Sequence, residues 1–225
     1  MHKKSYRINF STLKKYNLDS YIPTFENITP ETLANHNDYF KEMLEIIQDK
    51  QNMIPNNIKK LKKEMRSCCL IHGDIKFNNF LINKINSIYS IKLVDWELSG
   101  IGDPLIDLGS VIGNLFLIWI TNISLKNIQD PLEIFHQPLN NIHRLFLQIN
   151  RFLKFYNRII SKPLVINSES KINLLQHSGA FLLKSVYNDI FLNYRFSPIT
   201  MLTLFLSKSL LTKPKYIFTI MRYYE

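Results

Sequence analysis

Two short apolar runs, residues 68–71 and 91–94, each end on a polar group of the kind that handles phosphate, metal or protons. Both lie in the stretch 68–109, CCLIHGDIKFNNFLINKINSIYSIKLVDWELSGIGDPLIDLG, which holds the only dense cluster of such residue types in the chain. Runs of this length, released into polar loops, are how buried strands aim active-site side chains. The pattern therefore predicts a small sheet. Residues 68–71 read as a short buried strand and 80–82 as a second, while 90–94 pairs with 79–83 as a hairpin whose turn is 84–89. That pairing sets two polar clusters, Asp74 to Asn79 and Asp95 to Glu97, at the same end of one sheet.

The rest of the chain reads as helix. Thr29, Pro30 and Glu31 supply a hydroxyl cap, a first-turn proline and a carboxylate at the positive end of the dipole, so a helix is expected from there to about Lys50. Pro55 ends the connection, and Ile58, Leu61 and Met65 mark the apolar side of a further short helix. After Pro104, helices are expected at 105–120, 139–160, 170–192, 199–211 and 215–223, with Ser197 and Pro198 starting the fourth. Residues 1–21 read as loop. No repeat or low-complexity linker divides the chain, so the fold class is α+β, predominantly helical, in one unit.

One stretch, 108–125, lacks charge and is just long enough to span a bilayer. Gly109, Ser110, Gly113, Asn114, Thr121, Asn122 and Ser124 interrupt it, and the expectation is a buried core helix, with no membrane as partner. The formal charge of +10 raises nucleic acid as a partner. Lysines are scattered, however, and the one local basic run, Lys59, Lys60, Lys62, Lys63 and Arg66, sits on a helical pattern as a solvated face, which disfavours nucleic acid. Cys68 and Cys69 are neighbours, which seldom pair because the geometry is strained. With no signal peptide at the N-terminus, a reducing, cytoplasmic setting is expected. No Cys or His spacing suggests zinc.

Within the central stretch an Asp is followed by a Lys two residues on, an Asn five residues on, and a second Asp after the next apolar run. Phosphoryl transfer from a nucleotide needs a carboxylate to orient and deprotonate a hydroxyl, a cation near the transferring group, and oxygen ligands that hold Mg²⁺ against the phosphates. Asp74, Lys76, Asn79 and Asp95 suit these roles, and carboxylate and amide oxygens are hard ligands. The set points to Mg²⁺ with ATP or GTP as cofactors.

At these residues the chain resembles a family. His72, Gly73, Asp74 and Asn79 match the HGDxxxxN catalytic loop of the aminoglycoside phosphotransferase and choline kinase family, whose fold is similar to that of eukaryotic protein kinases. Asp95-Trp96-Glu97 looks like its metal-binding DWE element, and residues 102–108 look like the GDPxxDL segment that follows. The resemblance is close over 70–108. It implies Asp74 as the catalytic base, Asn79 and Asp95 as the Mg²⁺ ligands, and Lys76 near the γ-phosphate as a catalytic and nucleotide-binding group. It also implies that His72 buttresses the loop, that Asp103 and Asp107 hold loops and cap the next helix, and that Glu97 assists around the metal.

The family carries an N-terminal lobe in which a glycine-containing loop and a strand lysine cover the nucleotide. Here 71 residues precede His72, and no glycine occurs before Gly73. The expectation is a C-terminal lobe only, over 1–225: a helical segment to residue 67, a catalytic and metal-binding core at 68–109 built on a small β-hairpin, and a helical subdomain at 110–225, with the nucleotide-binding lobe absent. A separate N-lobe polypeptide is then a candidate partner, and an exposed apolar face is expected where such a lobe packs. The expected function is transfer of the γ-phosphate of ATP to the hydroxyl of a small molecule, incomplete or inactive if this chain acts alone. The alternative is a non-catalytic, pseudokinase-like helical binding module. From Lys126 onward basic residues far outnumber acidic ones, which favours a neutral or anionic acceptor over a polycation. Tyr156, Phe181, Tyr187, Phe191 and Tyr194, at helical spacing, read as core before pocket, and His136, His143 and His177 as packed or solvated.

Overall fold

A computed structural model describes residues 14–17, 38–48, 54–122, 140–160, 167–192 and 197–222. Two helices come first, α1 (Asp38–Gln48) and α2 (Ile54–Glu64). Their apolar faces are Met43, Leu44 and Ile47 on α1 and Ile54, Ile58 and Leu61 on α2, all buried. Lys59, Lys60 and Lys63 point to solvent from the other side of α2, as a solvated basic face should. Pro55 lies in the first turn of α2, not before it, because its missing N–H costs nothing there. The start expected for α1 at Thr29 lies outside the described residues.

The central stretch forms two separate two-stranded sheets, not one. Strand β1 (Cys69–Ile71) pairs antiparallel with β4 (Gly100–Gly102), and β2 (Phe80–Ile85) pairs antiparallel with β3 (Ile88–Leu93). The register expected for the hairpin is the one found: Phe80 faces Leu93 and Asn83 faces Ser90, and the Val94 N–H donates to the Asn79 carbonyl at 3.0 Å. Its turn is shorter than expected, since pairing continues to Ile85 and Ile88. Asn86 and Ser87, at φ of 47° and 66°, close it as a two-residue turn whose backbone twist matches the strands. Hydrophobic alternation cannot locate the end of a hairpin that neither face buries. Leu81, Ile82, Ile85, Ile88, Tyr89 and Ile91 are all exposed.

Helices α3 (Pro104–Thr121), α4 (Asn140–Ile159), α5 (Ser168–Tyr187), α6 (Pro198–Thr212) and α7 (Pro214–Arg222) follow, with a π-helical turn, Asn188–Leu192, extending α5. Ser197 caps α6 as expected, accepting from the Thr200 N–H at 3.2 Å, with Pro198 in its first turn. Asn167 and Ser170 close a reciprocal capping box on α5. Helix α3 is long and apolar enough to cross a bilayer, yet 67% of it is buried in protein. It runs unbroken across residue 110, so the expected seam between core and helical subdomain falls inside one helix.

Two apolar cores result. Leu108, Ile112 and Phe116 of α3 pack with Phe146 and Ile149 of α4, Leu175 and Leu182 of α5, Leu206 and Leu210 of α6, and Phe218 of α7. Tyr16, the buried faces of α1 and α2, Cys69 and Ile71 of β1 and Ile106 of α3 close on the other side of α5 and α6, against Leu183, Val186 and Leu204. Helix α5 therefore stands between both cores, with a few polar side chains left at its edge.

Candidate active site

The loop 72–79 leaves β1 and enters the hairpin through a short 3₁₀ turn, Phe77–Asn79. Its shape is imposed from α3. Asp103 caps that helix by accepting from the Leu105 N–H at 2.9 Å, while its other oxygen takes the Arg66 backbone N–H at 3.0 Å and Nε at 3.3 Å. One turn on, Asp107 receives the His72 and Gly73 N–H groups, one on each oxygen, both at 2.9 Å. Two turns further, Asn114 Nδ2 donates to the Ile75 carbonyl at 3.1 Å and Oδ1 accepts from the Phe77 N–H at 3.4 Å. One face of α3 thus binds the chain on both sides of Asp74. Hydrogen bonds to a buried carboxylate are the stronger kind, which makes Asp107 the main clamp.

Two further contacts fix the loop. Gly73 has φ +82°, and a Cβ there would strike the Tyr16 ring and the Leu98 carbonyl, so only glycine fits. The Tyr16 hydroxyl donates to the Gly73 carbonyl at 3.0 Å. Tyr16 belongs to a short segment laid beside β4: its N–H donates to the Ile101 carbonyl at 3.0 Å, and the Ile101 N–H donates to the Lys14 carbonyl at 2.9 Å. His72 is fully buried. Its Nε2 lies 2.8 Å from the Val94 carbonyl and its Nδ1 takes the Asp74 N–H at 3.3 Å, so the ring carries its proton on Nε2. This imidazole ties the loop to the chain just before Asp95. Trp96 leans on it with ring centroids 4.8 Å apart. As expected, His72 is a buttress.

The four residues singled out in sequence come together around this frame. The Asp74 carboxylate binds Lys76 Nζ at 2.7 Å through Oδ2 and Lys184 Nζ at 3.5 Å through Oδ1. Burial pushes its pKa up, but the Lys76 hydrogen bond and the charges of Lys184 and Lys76 outweigh this and hold it below the usual carboxylate range. It is an ionised base at neutral pH. Lys76 is held above its ordinary value by the hydrogen bond to Asp74, against some desolvation, and by the charges of Asp74, Asp95 and Glu97, which puts those two acids within its field.

Asn79 is buried and donates through Nδ2 to the Asp74 carbonyl at 2.9 Å, which leaves its Oδ1 with no partner among the described residues. Asp95 is exposed, in the left-handed region at φ 66°, and its carboxylate makes no hydrogen bond or ion pair among the described residues. Asp tolerates this conformation better than most residues, at a cost of roughly 1 kcal/mol. Carboxylate and amide oxygens are the donor types that a hard divalent cation takes, and Asp95 and Asn79 each offer one with no partner among the described residues, so their chemistry fits Mg²⁺. Beside the loop, Phe77 lines a cavity of about 590 Å³ between α3 and α4, with Leu115, Trp119, Leu145 and Phe152 on its walls and Arg144 among them.

Lys184, Asn114 and Tyr16 were not among the residues expected at the site. Each stands 37 or more positions from its partner in the loop, and none belongs to a local motif. His177 is buried and His143 is exposed, in keeping with packed and solvated roles. Tyr156, Phe181 and Tyr187 are half-buried, whereas the side chain of Phe191, and all of Tyr194 and His136, lie outside the described residues. Cys68 and Cys69 form no disulfide.

Among protein-family models, residues 20–127 match the phosphotransferase enzyme family. That segment contains the loop, the Asp95 element and residues 102–108, so the match falls on the motifs that carry the resemblance, and phosphotransfer is the activity that family's description gives. No match was found among curated proteins.

Proposed function

We propose that the chain transfers the γ-phosphoryl group of ATP, or GTP, to the hydroxyl of a small molecule. The observation that carries this reading is the convergence of an ionised, lysine-paired Asp74 with an unpaired Asp95 carboxylate and a free Asn79 Oδ1. Asp74 accepts the proton of the acceptor hydroxyl, whose oxygen attacks the γ-phosphorus in line as the bond to the β–γ bridging oxygen breaks and ADP leaves. Lys76 offsets negative charge on the transferring group. Asn79 and Asp95 would hold Mg²⁺, which when bound neutralises charge on the phosphate oxygens. The apolar cavity beside Phe77 gives room for the body of an acceptor.

The exposed apolar side chains of the β2–β3 hairpin give a covering partner a surface to pack on, and a separate N-lobe polypeptide is the partner that suits it. Two adjacent cysteines outside any disulfide suit a reducing, cytoplasmic setting.

The test is a pair of variants. Asp95→Ala is expected to lose Mg²⁺-dependent ATP binding in a calorimetric titration. Asp74→Asn is expected to retain that binding and lower phosphoryl transfer by about 10²–10⁴-fold. Unchanged nucleotide affinity in Asp95→Ala would sink the proposal.

A further inference from the structure

Asp74 is one carboxylate held between two ammonium groups, and one of these is in surplus. Lys76 binds Oδ2 tightly, at 2.7 Å, and lies in the field of Asp95 and Glu97. Lys184 reaches the other oxygen from α5, at 3.5 Å, the outer limit of a hydrogen bond. Oδ1 is therefore the oxygen with room for a hydroxyl, and Lys184 is the group that hydroxyl meets.

A base takes a proton only from a donor within about 2.6–3.2 Å. A hydroxyl on Oδ1 and an ammonium 3.5 Å from the same atom are then roughly 3–6 Å apart, close enough to share one small molecule. The Lys184 side chain is only 19% exposed, and its neighbour Asp74 18%. A cation so placed is poorly screened by water and discriminates strongly by charge. It repels a cationic acceptor and attracts an anionic one.

We propose that Lys184 is a specificity-determining residue, and that the acceptor is a hydroxyl compound bearing a carboxylate or phosphate one or two carbons from the reacting hydroxyl. This rests on the phosphotransfer reading and narrows it. The Lys184 ammonium binds the anion, the hydroxyl falls on Asp74 Oδ1, and the loose Asp74–Lys184 contact is exchanged for two contacts with the acceptor. The π-helical turn that begins at Asn188, directly after this part of α5, is a departure from α geometry of a kind common where helices carry function.

The experiment compares four probes of similar size by calorimetry: glycerate, glycerol 3-phosphate, glycerol and ethanolamine. The wild-type chain is expected to bind at least one of the two anions about tenfold or more tightly than glycerol, and ethanolamine most weakly. Which anion is preferred distinguishes a carboxylate acceptor from a phosphate one. Lys184→Gln is expected to abolish the preference, Lys184→Arg to keep it within a few-fold, and Lys184→Glu to reverse it toward ethanolamine. In turnover the Gln change should raise KM for the anionic acceptor more than it lowers kcat, a split that a purely structural lysine would not produce. Equal binding of anions and glycerol by the wild type, or an unchanged preference in Lys184→Gln, would overturn the proposal. ATP titrated with Mg²⁺ into the wild type in parallel separates the two readings: a failure there falls on phosphotransfer, while the four-probe comparison still decides the role of Lys184.

Discussion

Asp107 and Asn114 lie two turns apart on one face of α3, and together they accept or donate four hydrogen bonds to the backbone of the catalytic loop and its flanks. Neither touches the reacting atoms. What they set is where Asp74 points. Replacing Asn114 with Leu keeps the side chain's bulk but strips the Ile75 carbonyl and Phe77 N–H of their partners. The expected cost is about 1–3 kcal/mol of stability in urea denaturation, with a fall in kcat larger than any change in ATP affinity. Asp103 and Asp107 were readable as capping and loop-holding residues because they sit in a recognisable seven-residue segment. Asn114 was not, because an Asn inside an apolar helix looks like an interruption until the loop it binds is known. Lys184 was hidden for the same reason: 110 positions separate it from Asp74, and nothing local to α5 marks that lysine from the others.

At the level of elements, the hairpin register followed from pairing the runs 79–83 and 90–94 across the turn between them, and the helices after Pro104 followed from spacing and caps. Strand β4 did not. Gly100-Ile101-Gly102 has no apolar run, and its glycines answer to space: a Cβ on Gly100 would lie 2.7 Å from the Tyr16 nitrogen. The central helix α5 has a similar requirement where Ser178, Gly179 and Ala180 meet α6. A Cβ on Gly179 would approach Leu210 Cβ at 2.9 Å and the Ser207 carbonyl at 3.1 Å, and the Ser207 hydroxyl donates to the Gly179 carbonyl at 2.8 Å. Gly179→Val is therefore expected to separate the two helices and destabilise the protein by about 2–3 kcal/mol, lowering the urea midpoint without changing its slope. Since α5 also carries Lys184, anion preference should weaken with it.

Taken whole, the molecule shares α5 and α6 between its two cores, and the one buried histidine of α5 makes that arrangement sensitive to acid. Burial pushes the His177 pKa down to about 4 from 6.5, with Arg66 adding to the effect and Asp103 opposing it. A base whose pKa is lowered on folding binds its proton more readily in the unfolded chain, so stability is full above pH 6.5 and declines as pH falls toward 4. The shift corresponds to a loss on the order of 3 kcal/mol across that window. Stability measured by urea denaturation from pH 7 to pH 5 should decline accordingly, and His177→Gln should flatten the decline. A wild-type curve flat over that range would show that the histidine does not titrate in this way.

The contacts that shape the catalytic loop also say when it forms. Its partners lie far along the chain: Val94 at 22 positions, Asp107 at 35, Asn114 at 39, Tyr16 at 57 and Lys184 at 110. Closing loops of such lengths costs chain entropy that is returned only once the distant helices have docked. Lys76, Asn79 and His72 hold Asp74 locally, but the path of the loop that carries them depends on those distant partners, so the geometry around Asp74 belongs to the end of folding. A chain caught before α3 and α5 are seated would contain every residue of this candidate site without the arrangement that joins them.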